Sequence, residues 1–205
     1  MGLQYSITAI GSVILQTAVN GLGSLAVASV TTASKVSMFF CCPFDAMGAT
    51  MATYGGQNVG AKKLDRVGEG LRSCTLLGAS YAVIAFVVMY FFGDDLAALF
   101  VDEAGGRMLA DARTFLVINS AFFIPLALVN IVRFLIQGMG FSAFAILAGV
   151  FEMAARTLAG LVLVPKLGFI GACFASPLAW VAADLFLIPA YLHVKHKLQR
   201  LFEGT

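Results

Sequence analysis

The sequence predicts an all-α, polytopic membrane protein, and three observations carry that prediction. Hydrophobic residues make up 60% of the 205 and charged residues only 12%, about half the charge of an ordinary soluble domain. A soluble fold of this length would lack the charge to cover its surface. The apolar residues fall into runs of about twenty or more, enough for a helix to cross the hydrocarbon core. Such runs are too long for the alternating strands of a membrane barrel. Finally, basic and acidic residues segregate into different connecting segments, as they do in a chain threaded through a bilayer.

Six spans are expected, over about residues 1–19, 24–57, 67–92, 108–137, 141–164 and 169–191, with 192–205 as a basic tail. The first ends at "NGLG". The second is long enough to tilt or project beyond the bilayer, and Pro43 should kink it by removing a backbone bond. The third ends where "GDDLAALF" begins, a stretch read as a short interfacial helix. The fourth contains Pro125. The fifth is closed by "PKLG", and the sixth contains Pro177 and Pro189. The 205 residues read as a single membrane domain without a soluble one. The chain opens on "MGLQYSITAIGSVILQ", already apolar, with no basic leader or cleavage site. It reads as a chain entered partway through a longer bundle.

Charge in the connections sets the orientation. Lys62, Lys63, Arg66 and Arg72 follow the second span, and Lys195, Lys197 and Arg200 follow the sixth. Asp94, Asp95, Asp102 and Glu103 follow the third. Lys and Arg favour the cytoplasmic side. Six spans then place both termini in the cytoplasm of a multi-pass cell-membrane protein, with the acidic segment outside.

Other classes are disfavoured. A net charge of +2 is too small to imply nucleic acid. Cys41, Cys42, Cys74 and Cys173 lie in apolar runs without C-x-x-C spacing, and His193 and His196 read as solvated residues at a membrane surface. Neither a metal nor an organic cofactor is expected. "GGQNVGAKK" approaches a phosphate loop, but Lys63 is followed by Leu64, not Ser or Thr, and no strand precedes it. With no catalytic signature elsewhere, an enzyme is not expected. Gln57, Asn58 and Gly60 are instead read as a cytoplasmic turn where a helix leaves the membrane through a glycine.

Charged residues inside spans are costly and usually face a bundle interior or a water-filled cavity. The transport or ion-coupling candidates are therefore Asp45, Glu152, Arg156, Asp184 and Lys35. On a helical wheel, Gly48, Ala49, Ala52 and Gly56 share the side of Asp45, while Phe44, Met47, Met51 and Tyr54 fall opposite. Gly48, Ala52, Gly56 and Gly60 form a row of small residues that permits close helix approach. Asp45 is expected to head a close-packed or cavity-facing surface, with the aromatic and Met face turned to lipid or a looser contact, and either to bond a neighbouring hydroxyl or to act on a proton, cation or substrate. Glu152 and Arg156 have ion-pair spacing among Ala145, Ala148, Gly149, Ala159 and Gly160. They either neutralise each other or respond to a ligand. Asp184 could lock the last helix or line an inner mouth. Lys35 lies ten residues before Asp45, about 15 Å along a helix, too far to pair. Arg133 is placed near a helix end, where it can snorkel. Gln16, Asn20, Asn119, Asn130 and Gln137 are weaker, cavity-lining polar candidates.

"MGLQYSITAIGSVILQTAVNGLG", "LAVASVTTASKV", "GATMATYGGQNVGAKKLDRVGEG", "FLIQGMGFS", "FEMAAR" and "PLAW" together resemble the multidrug and toxic compound extrusion (MATE) transporters over essentially the whole chain. The resemblance is to the second of two six-helix lobes. It implies a secondary antiporter exporting amphipathic or cationic organic compounds in exchange for H⁺ or Na⁺, by rocking of lobes around a central cavity. It also implies membrane lipids, small organic substrates and a partner N-terminal lobe or second copy as partners. The acidic residues that some members carry in the seventh and tenth helices have no counterpart in "YSITAIGSVILQ" or "FFIPLALVNIVRFLIQG". Two other readings stand beside it. One is a flippase of the same superfamily moving lipid-linked oligosaccharide, for which only Lys35, Arg133 and Arg156 would supply cations. The other is a stand-alone six-helix scaffold that does not transport.

Overall fold

A computed structural model describes residues 2–100 and 106–203, and side-chain positions from Ser6 onward. Asp102 and Glu103 lie outside the described residues. The described chain is helical, without strands. Its elements are α1 (Gly2–Asn20), α2 (Ser24–Gly60), α3 (Leu64–Ala98), α4 (Gly106–Ala121), α5 (Phe123–Gly138), α6 (Ser142–Leu158), a π-helical turn (Ala159–Leu163), α7 (Val164–Leu167) and α8 (Phe169–Glu203).

Among the described residues, α2, α3, α6 with its continuation to Leu167, and α8 are each long and apolar enough to cross a membrane. The helices α4 and α5 qualify together as one bent span. The described part of α1, from Ser6, is apolar but shorter.

Four boundaries differ from the sequence expectation, each for a local reason. The fourth span is two helices bent by 52° at Phe122. Pro125 has no N–H to offer the carbonyl four residues back, at Ala121, where α4 ends. The third span does not stop at Phe92. Gly93 is buried inside α3, where its lack of a side chain admits Arg113, whose Cγ would lie 3.2 Å from an added Cβ. "DDLAA" is therefore the end of α3, not a separate interfacial helix. The fifth span loosens into the π-helical turn before Pro165, whose missing N–H interrupts the regular ladder. The tail is not a separate segment. Tyr191, Val194 and Leu198 continue the buried stripe of α8, and the charged residues between them stay on the outside.

α5 is the central rod. Residues 131–136 are all buried, the signature of a helix enclosed on every side, and α2, α3, α6 and α8 pack around it. The closest approach is with α2. A Cβ on Gly48 would lie 2.7 Å from Phe134, and one on Gly138 would overlap the Ala52 carbonyl. Small residues thus bring two backbones together, as packing in lipid requires. α1 rests mainly on α6, where Gly11 admits the Met153 backbone at 2.9 Å from an added Cβ.

Candidate functional site

The sequence singled out charges within spans, and the structure sorts them into two groups. The first is buried. Glu152, only 3% exposed, accepts a hydrogen bond from Arg133 of α5 and lies 3.9 Å from Arg156, one turn along α6. Arg133 is itself buried. It cannot snorkel as the sequence suggested, because α5 is enclosed on all sides and offers no route to an interface. Asp184 of α8 is also buried, and it lies within electrostatic reach of Arg133 and Glu152. Arg133, Glu152 and Arg156 therefore meet between α5 and α6, with Asp184 of α8 near them. Arg156 extends the group to α1, donating to the Thr8 carbonyl at 3.5 Å and to Ser12 Oγ at 3.3 Å.

The network is incomplete. Arg133 Nε, Gln137 Oε1 and Asp184 Oδ1 are buried without hydrogen-bond partners. Buried polar groups are normally satisfied. This cluster thus retains one donor and two acceptors able to take a water, a proton or a small cation.

The second group is open. Asp45 is exposed on α2, with Lys35, Ala46, Ala49, Thr50 and Thr53 along the same broad face. Asp45 is therefore not close-packed, and the aromatic and Met side expected to look to lipid packs inside instead. The face of α2 that packs holds Phe44, Gly48, Met51 and Gly55. Phe44 meets Tyr81 and Phe123 edge-on, at 5.2 and 5.6 Å between ring centres. The small residues do pack closely, but they share that side with aromatic and Met side chains, and the acid is left at its edge. Gly60 faces open space and makes no close contact. On α1, Gln16 and Asn20 are exposed and bonded to each other at 3.0 Å.

Of the other polar candidates, Asn119 is packed between helices. It is 3% exposed and donates to the Cys173 carbonyl at 3.2 Å, tying α4 to α8. Asn130 and Gln137 are half-buried on α5.

The "GGQNVGAKK" turn has a definite structural role. Asn58 donates to the Tyr54 carbonyl, and Tyr54 Oη donates to the Arg66 carbonyl at 3.0 Å. The Tyr54 ring lies directly against Gly70, so α2 and α3 are locked together. The chain leaves α2 in a left-handed conformation at Lys62, φ 57°. The exit is therefore at a lysine, not at the expected glycine, and the Lys63 N–H closes it onto the Asn58 carbonyl at 2.8 Å. The Lys62 ammonium stands 5.7 Å from the Phe202 ring centre, so the basic turn and the end of α8 lie at the same end of the bundle. Arg133 was the functional candidate that sequence reasoning undervalued. The available signal was its place in the most continuously apolar helix.

Among the described residues no group of three or more His, Cys, Asp or Glu is arranged to hold a metal. Comparison with known proteins adds the wider frame. A family model described as MatE matches residues 1–163. No curated protein matches. An outward-facing structure of a multidrug resistance MATE family transporter of the MOP superfamily is similar with a TM-score of 0.83 and 20% identity, over 91% of this chain and 42% of that one. An inward-facing structure of a multidrug resistance MATE family transporter matches with a TM-score of 0.81 and 15% identity, over 99% and 47%. A MOP superfamily transporter from Pyrococcus furiosus, described as having a binding pocket of reverse polarity that suggests a different function, matches with a TM-score of 0.79 and 20% identity, over 90% and 41%. At these identities the likeness is one of fold. The chain spans less than half the length of each of these three transporters.

Proposed function

We propose, from the premise that this chain belongs to the MatE family, that it forms the C-terminal six-helix lobe of a twelve-helix secondary transporter. The transporter exports amphipathic or cationic organic compounds in exchange for H⁺ or Na⁺. The observation that carries this reading is the near-equal likeness of one compact lobe to outward-facing and inward-facing transporters, with TM-scores of 0.83 and 0.81. A unit that fits both states moves as a rigid body between them, which supports alternating access by rocking of lobes.

The open face of α2 is the surface this lobe turns to the central cavity. Asp45 is the only carboxylate in α2 and is exposed there. It attracts an organic cation or a coupling ion that an apolar wall would exclude. The buried cluster of Arg133, Glu152, Arg156 and Asp184 is the candidate for sensing the coupling ion, because it keeps unmet acceptors and reaches α1 through Arg156. Both termini face the cytoplasm, supported by the gathering of Lys62 and the α8 end on one side of the lobe.

The test is counterflow of a fluorescent organic cation in vesicles holding the transporter that contains this lobe, with Na⁺ and pH gradients imposed separately. Accumulation driven by one gradient is the expected outcome. Uptake indifferent to both, with the protein correctly inserted, would sink the antiport reading. Orientation is checked with cysteines placed at Lys63 and Asp102. The first should label only from the cytoplasm and the second only from outside.

A further inference from the structure

We infer that the end of α8 and the turn joining α5 to α6 form a binding site for the headgroup of an anionic phospholipid. A cavity of about 570 Å³ opens there, lined by His193, His196, Lys197 and Arg200. Their spacing of three, one and three residues puts all four on one face of α8, and all four are exposed. Among the described residues that line it there is no carboxylate. Glu203, three residues beyond Arg200, is exposed but not part of its wall.

Aromatic rings of the α5–α6 turn and α6 stand beside the lining residues. The Lys197 ammonium lies 5.3 Å from the Phe141 ring centre, and the His193 ring lies 6.1 Å from that of Phe144. Away from the cavity the aromatic contacts continue as a track. Phe144 meets Phe186 at 6.3 Å, and Phe186 stacks on Phe151 at 4.9 Å. Phe151 is 45% exposed, and Leu147 beside it on α6 is 46% exposed. A cationic pocket next to a line of half-buried and exposed aromatic and aliphatic side chains on α6 and α8 matches an amphiphile with a phosphate head and an acyl tail. A soluble anion would use the pocket and leave the apolar line uncovered. Basic pockets between membrane helices on the cytoplasmic side are suited to anionic headgroups. Fixed charge comes from Lys197 and Arg200, and the imidazoles add N–H donors to phosphate oxygens. Only the assignment to the cytoplasmic leaflet rests on the orientation given above. The binding itself does not depend on transport.

The test uses the full chain in detergent, stripped of lipid and offered mixed micelles of phosphatidylcholine and phosphatidylglycerol in equal amounts. Bound lipid is counted by native mass spectrometry. Phosphatidylglycerol should be retained preferentially, and the preference should fall about five-fold for each cation removed in Lys197→Gln and Arg200→Gln. Arg200→Lys should keep most of it. Lys63→Gln with Arg66→Gln removes equal charge from the other basic segment and should leave the preference intact. Equal loss in both sets would reduce the site to diffuse basic charge. Equal retention of the two lipids, or displacement of phosphatidylglycerol by millimolar inorganic phosphate, would overturn the lipid assignment. His193→Gln with His196→Gln supplies a second, milder perturbation, and no loss of preference in any of these variants would overturn it as well.

Discussion

Arg133 and Asp45 each put a full charge into a membrane-crossing helix, and the two are treated in opposite ways. Arg133 sits in α5, enclosed by four neighbours, and is neutralised by Glu152. Asp45 sits on an open face of α2, without a hydrogen-bond or ion-pair partner among the described residues, and the helix stays continuous through it. A charge that holds a bundle together must be paired inside it. A charge that waits for something arriving from outside must remain reachable. The difference separates architecture from recognition more clearly than residue type or hydropathy does.

Five variants break or sharpen that contrast. Glu152→Ala strands two arginines and should be the most damaging, by roughly 3–5 kcal/mol as for other severed buried pairs. Thermal unfolding in detergent would report it. A replacement of Arg133 and Glu152 together by Met should recover much of that loss. Failure to recover would mean that Arg156 and Asp184 depend on the pair. Gly138→Ala places a methyl group against the Ala52 carbonyl and should cost about 1–3 kcal/mol through overpacking of α2 on α5. A wild-type melting temperature would show that the two helices separate easily. Tyr54→Phe removes the bond to the Arg66 carbonyl but keeps the ring on Gly70. A loss of about 1 kcal/mol is expected, with faster amide exchange in the α2–α3 turn. Asp45→Asn should change stability by less than about 0.5 kcal/mol, as surface substitutions do, while abolishing gradient-driven efflux. Strong destabilisation by Asp45→Asn would place it with Arg133 and erase the contrast.

The parts legible in the sequence are those written locally. Glu152 and Arg156 share one helical face, so their proximity follows from spacing. The Gly48, Ala52 and Gly56 row announces a close helix contact, and α5 supplies it. The partner of Glu152 across the bundle could not be read, because nothing in the sequence says which face of α5 meets α6. The burial of the bulky side opposite Asp45 was missed for a related reason. A wheel finds a small-residue side and a bulky side, yet Phe44 and Met51 pack inside together with Gly48 and Gly55. In a membrane both sides can be apolar, so hydrophobicity no longer distinguishes core from surround. The extension of α8 was hidden because Val194 and Leu198 are spaced among lysines and histidines. The break at Phe122 lies three residues ahead of the proline that accounts for it.

The pairing of Arg133 with Glu152 also has a consequence for biosynthesis. α5 leaves the ribosome before α6, so Arg133 reaches the bilayer while its partner is still unmade. The gap is 19 residues, on the order of seconds at ordinary elongation rates. During that interval an unpaired arginine opposes insertion, by at most about 2.5–3.5 kcal/mol. Ten Leu, Ile, Val and Phe side chains in α5, each favouring insertion by about 0.3–0.6 kcal/mol, offset it. The extreme apolarity of α5 therefore serves the nascent chain as well as the finished bundle: it carries an orphaned cation into lipid until the glutamate arrives.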